Sequence, residues 1–480
     1  MKKIKNLKHN KFFRQFVLNI LVSFLIIFMV LSFDGCSRQE APKIKVGLGE
    51  AVITPQMDNV PMRGYAARNS TGVHDDLYAR SLVIEGEDGT TAVFLTLALC
   101  NMNLQYYEQI RSEINQKTKI PVENIIISCT HTHSGPYVRS APEEYRKYLV
   151  DRSVASVVDA WNNRIPGRIG FGSTQVMGLG MNDRRMLHGG MHPDPEAAII
   201  KIENEKGKLI GVAFNFGCHP STLDLHNLQF TEDWPYYSIK GLKEALGEDI
   251  WIAYYQSAQG DVKVGYTAEL SAVGAYMYGL RTFEYAEYKG GLMIDPVLKA
   301  LDTITTSGDP EIKVSQHTID LPRRKTSPVT LKEAIKIQKD ANEKLAEMEK
   351  IADRIGKRVL DSYRVDVFLA DRLVSGARRV EQNPNPEPLT DVWQQAVRIG
   401  DTVFVTFPNE VFTEIGKAVK DQSPYEKTYV IGLASGYSGY IPTKAEYLEG
   451  GYAVDGNGFG EECEQVIIDS SRKIIAHVTE

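Results

Sequence analysis

The stretch Ile125 to Pro136 reads IIISCTHTHSGP. Three isoleucines followed by Ser128 and Cys129 suit a buried strand, and Ser134-Gly135-Pro136 must turn the chain. Two histidines therefore sit where the chain leaves a sheet, the position at which ligands gather in α/β folds. Side chains alternate along an extended strand, so His131 and His133 can face the same side. Such a pair suits one metal ion, or one metal ligand and one substrate contact. It equally suits two hydrogen-bonded polar residues at a strand end, and spacing alone leaves these readings open.

Other chemistry-bearing residues also fall at strand ends. Lys208 to Phe216 reads as a strand that ends in Gly217-Cys218-His219-Pro220. Ile250 to Tyr255 is a strand followed by a loop that contains Gly260-Asp261-Val262-Lys263. Val392 to Phe407 reads as a hairpin turning at Gly400-Asp401 and ending in Pro408-Asn409-Glu410. Tyr429 to Leu433 is the last clear core strand, followed by an aromatic loop through Tyr440 to Tyr452.

The elements that must position these residues follow from periodicity. Lys43 to Gly49 is a first strand and Thr90 to Leu99 a buried one. A helix from about Gln105 to Gln116 joins the latter to the H-x-H strand, the order of a parallel crossover. Ala197 to Glu203 and Lys208 to Phe216 form a hairpin around Glu205-Lys206-Gly207. Asp233 caps a helix that carries Pro235 in its first turn. A charged helical hairpin occupies about 328–382, and its simplest reading is a solvated amphipathic pair. The expected fold is α/β: a mixed central sheet flanked by helices, with that hairpin inserted.

Residues 1–36 read as an export signal rather than as fold. A basic start with Lys2, Lys3, Lys5, Lys8, Lys11 and Arg14 precedes an apolar run to Phe33, and Gly35-Cys36 is similar to a lipoprotein cleavage site. The expectation is an exported chain tethered to a membrane through Cys36, with residues 37–480 as a single domain. The whole chain carries formal charge −6, and the part beyond the signal is near about −11, which does not favour nucleic acid. The remaining cysteines, Cys100, Cys129, Cys218 and Cys463, show no disulfide framework or zinc-finger spacing.

Seven motifs together resemble a family. VGLGEAVITP (Val46–Pro55), MRGYA (Met62–Ala66), THTHSGP (Thr130–Pro136), GCHP at His219, Gly260-Asp261, PNEVFT (Pro408–Thr413) and GYSGYIPTKAEYLEGGY (Gly436–Tyr452) occur in the order seen in neutral/alkaline non-lysosomal ceramidases. The family's separate immunoglobulin-like domain finds no counterpart before Glu480. The resemblance implies one zinc ion (Zn2+) held by His131, His219, Glu410 and Tyr440. It implies His133 as a substrate-facing residue and Tyr452 as an oxyanion donor. Arg184, rather than Arg185, is the expected arginine of the loop holding Asn182. Asp261 and Lys263 are expected at the substrate. The binuclear H-x-H-x-D-H type of zinc site is disfavoured, because Gly135 and Pro136 stand where it needs Asp and His.

The function implied is zinc-dependent hydrolysis of the N-acyl amide of a lipid such as ceramide, or of a related N-acyl compound. The alternatives are a zinc-dependent esterase acting on another lipid or glycan, and a non-catalytic surface lipoprotein that binds one. Two departures from the family stand out. Lys263 occupies the place of a serine, and Cys100 the place of an acidic residue. A cation at Lys263 favours substrates with an anionic group beside the amide.

Overall fold

The structure is a computed structural model that describes residues 41–184, 194–275, 280–436 and 439–480. The export segment with Cys36, and Arg185, lie outside these residues. Among the described residues no helix is long and apolar enough to cross a membrane.

Eight strands form a mixed sheet: β1 (Lys45–Val52), β2 (Tyr78–Glu85), β3 (Thr91–Leu97), β4 (Ile125–Cys129), β5 (Ile165–Gln175), β6 (Glu196–Asn204), β7 (Leu209–Phe216) and β8 (Trp251–Gln256). Their order across the sheet is β8-β7-β6-β5-β1-β2-β3-β4. Neighbours run antiparallel except β3–β4 and β7–β8, which are parallel. Parallel neighbours need a crossover. Helix α1 (Leu104–Thr118) supplies the first of these crossovers. Helix α2 (Glu143–Asn162) then leads from β4 to β5, and α3 (Trp234–Leu246) supplies the second crossover. Asp233 caps α3, accepting from Trp234 N at 2.7 Å and from the backbone of Thr222 and Leu223.

The hairpin read at Gly400-Asp401 belongs to a second sheet, β9 (Ile312–Leu321), β10 (Leu389–Ile399), β11 (Thr402–Thr406) and β12 (Lys427–Ile431), in that order. Its inner face lies on the larger sheet. Val397, Ile399, Phe404 and Ile431 share one apolar cluster with Val46, Leu82, Phe94 and Ile200. The inserted hairpin, α4 (Leu331–Glu349) and α5 (Lys357–Gln382), separates β9 from β10, and a capping box between Thr330 and Glu333 starts it. Helix α6 (Cys463–Thr479) covers the outer face of the second sheet, as α1 and α2 cover the larger one. The result is four layers, helix–sheet–sheet–helix. Burial on both faces explains why β3, β4 and β8 read as continuous apolar runs.

The larger sheet curls until its edge strands approach each other. Gln256 ends β8, and its side chain donates to Thr130 O, just past β4, at 3.2 Å. Segment 432–435 then stitches both edges to the second sheet: Gly432 N donates to Gln256 O, Cys129 N to Leu433 O and Ser435 N to Ile127 O.

The alternation in β1 explains why α2 lies so close. Gly47 and Gly49 leave no side chain on that face, and a Cβ on Gly49 would stand 2.0 Å from the Ser156 carbonyl oxygen of α2. Gly49→Ala must therefore move a helix rather than a side chain. It is expected to lower unfolding free energy by about 1–3 kcal/mol, read as a fall in urea midpoint at unchanged slope.

Candidate metal centre

His131 does not continue the strand. Its amide donates to Leu99 O at 2.8 Å, and its φ of +73° places it in the left-handed region, rare for a residue with a side chain. A turn, rather than strand alternation, brings His131 and His133 together. Their rings meet edge-on with centroids 5.0 Å apart and Nε2 atoms 3.4 Å apart. The amide of His133 donates to Pro220 O at 2.9 Å, which docks this turn on the GCHP turn.

Gln256 locks the same two turns together. Its Oε1 accepts from Cys218 N, while its Nε2 donates to both Thr130 O and Cys218 O. His219 is fully buried beside it, its carbonyl accepting from the Trp234 indole at 3.3 Å. Glu410 arrives from the second sheet, just beyond β11. Glu410-Val411 forms a two-residue parallel bridge with Tyr440-Ile441, so Glu410 and Tyr440 stand directly opposite each other.

These residues converge on one point. His131 Nε2 lies 3.2 Å, and His219 Nε2 3.0 Å, from the same Glu410 oxygen. Each imidazole uses its Nδ1–H on a backbone carbonyl: His131 on Cys100 O at 2.7 Å, His219 on Val262 O at 3.0 Å. That fixes both Nε2 atoms toward the carboxylate. Burial lowers the pKa of His219 to about 3, with Lys263 adding to the effect, so it is neutral. Its Nε2 and the Glu410 oxygen are then two acceptors with no proton between them. Burial also opposes charge on His131, but Glu410 and Cys100 outweigh it and raise that pKa to about 10. The strong demand for positive charge at this point is what a cation satisfies, and two imidazoles plus a carboxylate are a zinc-type donor set.

A rival set, Cys100 with His131 and His133, also gathers within ligand range. It fits less well. The Cys100 sulfur lies on the Nδ1 side of His131, 3.7 Å from a nitrogen already committed to a carbonyl.

A cavity of about 420 Å³ opens onto this centre, lined among others by His131, His133, Glu410, Tyr440, Tyr452 and Lys263. His133 Nδ1 is buried without a hydrogen-bond partner, and burial together with His131 and Lys263 holds the ring well below its usual pKa. Gly64, at φ +110°, lets the MRGYA loop lie on His133: a Cβ there would stand 2.6 Å from that of His133. The Tyr65 ring meets His133 edge-on at 4.9 Å. Tyr440 and Tyr452 rings sit edge-to-face at 5.6 Å, and burial followed by the Glu410 charge keeps the Tyr452 hydroxyl protonated.

Two expected site residues are placed elsewhere. Arg184 does not line this cavity. Its guanidinium holds Glu446 and donates to Gly450 O at 2.6 Å, in an adjoining hollow with Glu269 and Gly451. It braces the loop before Tyr452 instead of facing the histidines. Asp261 is likewise committed: one oxygen accepts from the Thr413 amide and hydroxyl, the other from Asn182, each at 2.8 Å. It joins three chain segments, with both oxygens engaged in holding them.

Two arginines line the cavity, Arg63 of the MRGYA loop and Arg372 from the insertion. Arg372 of α5 donates to Tyr452 O at 3.3 Å and lies over the Tyr452 ring, and Phe368 one turn earlier stacks on the same ring. The sequence signal for these was an aromatic and an arginine at i, i+4 on one helix face. Gln256 had no such signal, since a buried glutamine at a strand end reads as any polar residue.

Residues 44–249 match the family model described as neutral/alkaline non-lysosomal ceramidase, N-terminal. The neutral ceramidase of Pseudomonas aeruginosa is 25% identical over 236 residues, covering 44% of this chain and 35% of that protein. Neutral ceramidase 1 of Arabidopsis thaliana is 25% identical over 39% of this chain and 29% of its own length. The matches thus span about a third of these relatives. The crystal structure of the Pseudomonas aeruginosa neutral ceramidase superposes with a TM-score of 0.70 at 18% identity, covering 92% of this chain and 75% of that one, a likeness of fold.

Replacing Gln256 by leucine keeps its volume but strands the Thr130 and Cys218 backbone groups in a dry interior. Gln256→Leu is expected to cost about 2–4 kcal/mol in chemical denaturation. A loss within experimental error would show that the two histidine turns are held by something else.

Proposed function

Because residues 44–249 of this chain belong to the neutral/alkaline non-lysosomal ceramidase family, we propose that it is a zinc-dependent amidohydrolase cleaving the N-acyl bond of ceramide or a related N-acyl compound. The observation that carries this reading is the shared Glu410 oxygen between two Nδ1-anchored imidazoles, open to a cavity. His131, His219 and Glu410 would hold the metal, with Tyr440 opposite Glu410 as the further ligand. When bound, zinc supplies Lewis acidity, which polarises a carbonyl and brings the ionisation of water to about pH 7.

The other residues have separable tasks. Tyr452 keeps its proton, and its hydroxyl, now hydrogen-bonded to Tyr440, would donate to the carbonyl oxygen as that oxygen gains charge. His133 is neutral, with an unpartnered Nδ1 on the cavity wall. It can take the proton that water loses and return it to the amine nitrogen as the C–N bond breaks. Phe368 and Tyr65 shield the reacting atoms from bulk water with apolar ring surface. The basic and apolar pattern of residues 1–36 supports export and tethering through Cys36.

Elemental analysis of protein purified without chelator should find about one zinc per chain. His131→Ala, His219→Ala and Glu410→Ala should each lose the metal and, with it, hydrolysis of an N-acyl amide. A well-folded wild-type protein that takes up no zinc overturns the reading.

Tyr452→Phe should retain the metal while kcat falls by roughly 10²–10³, the cost of one oxyanion donor. Loss of zinc in that variant would make Tyr452, rather than Tyr440, the tyrosine ligand.

A further inference from the structure

The cationic side chains of Lys263 and Arg372 line the cavity, and among its described lining residues Glu410 is the one carboxylate, its charge directed at His131 and His219. Lys263 is 3% exposed, yet its ammonium forms no hydrogen bond or ion pair among the described residues. Burial lowers its pKa, and the charges of Asp183 and then Glu410, neither in an ion pair with it, oppose that shift. A buried ammonium left this way carries a large desolvation cost unless an acceptor in the cavity meets it.

Arg372 repeats the pattern on another wall. Its Nη2 donates to Tyr452 O at 3.3 Å, but its Nε is buried without a partner. The helix supplying it also stacks Phe368 on Tyr452, so this guanidinium is held in place by packing rather than by a carboxylate.

We propose that this cavity selects N-acyl compounds whose amine half carries a carboxylate, sulfonate or phosphate, with Lys263 and Arg372 as the specificity-determining residues that hold it. The acyl half of a lipid amide is hydrocarbon and offers a cation nothing, so the anion belongs to the amine half. The proposal rests on the amidohydrolase reading. Water adds to the carbonyl carbon, the C–N bond breaks, and the proton from water goes to nitrogen, giving a fatty carboxylate and an anion-bearing amine.

The test compares kcat/KM for N-dodecanoylglycine and N-dodecanoylethanolamine, which share the acyl chain and differ in carboxylate against hydroxymethyl. Wild type should favour the glycine conjugate by roughly tenfold or more, and Lys263→Met and Arg372→Gln should each shrink that ratio by roughly tenfold. A wild-type ratio at or below unity, or one unmoved by both substitutions, overturns the proposal. Calorimetric binding of the two matching ketones, with methylene in place of the amide nitrogen, separates the two readings. If neither amide is cleaved, the hydrolase reading fails. The anion clamp then stands or falls on whether 4-oxopentadecanoate binds more tightly than 1-hydroxypentadecan-4-one, and on whether the two substitutions remove the difference.

Discussion

The centre depends on one convergence: two imidazole nitrogens aimed at a single buried carboxylate oxygen. Nothing in the side chains themselves enforces that aim. It is set by the carbonyls of Cys100 and Val262, which take the Nδ1 protons and leave Nε2 no other direction. Those carbonyls follow the ends of β3 and β8, and the carboxylate follows β11. The stacking of one sheet on the other is therefore what joins the acid to its bases. Gln256 and segment 432–435 fix that stacking at the strand ends rather than in the apolar middle.

Much of the frame was legible in the sequence because it is local. The β3–α1–β4 crossover, the hairpins at Gly207 and Gly400, the capped helix at Asp233 and the inserted pair each rest on periodicity and turn chemistry within a short window. The residues at strand ends could be read as well, since a polar side chain after an apolar run has few other places to be. What was not legible depends on distant partners. The left-handed backbone of His131 follows from its bond to Leu99 O. The commitment of Asp261 follows from Thr413 and Asn182, and the removal of Arg184 to another hollow follows from Glu446. No spacing within either segment announces these contacts.

The inserted hairpin shows how a bland pattern can conceal a role. Its outer surface is the solvated amphipathic pair that composition implies, with Ala334, Val374 and Ala377 as the small seam between helices. One short stretch of α5 differs: Phe368 and Arg372 turn inward onto Tyr452. The inserted pair thus supplies part of the cavity wall. It does so from a segment outside both sheets.

The distribution of the proposed ligands along the chain has a consequence for how the protein folds. Both imidazoles precede Asp249, while Glu410 and Tyr440 come after the whole insertion. A chain emerging from synthesis can complete the larger sheet's crossovers and still present only two imidazoles, too few to retain a metal tightly. The contacts that close the site are among those most distant in sequence, and such contacts form late. Under the proposed metal reading, capture of an ion would be the closing event of folding, and an incomplete chain would stay chemically silent until its last core strands are in place.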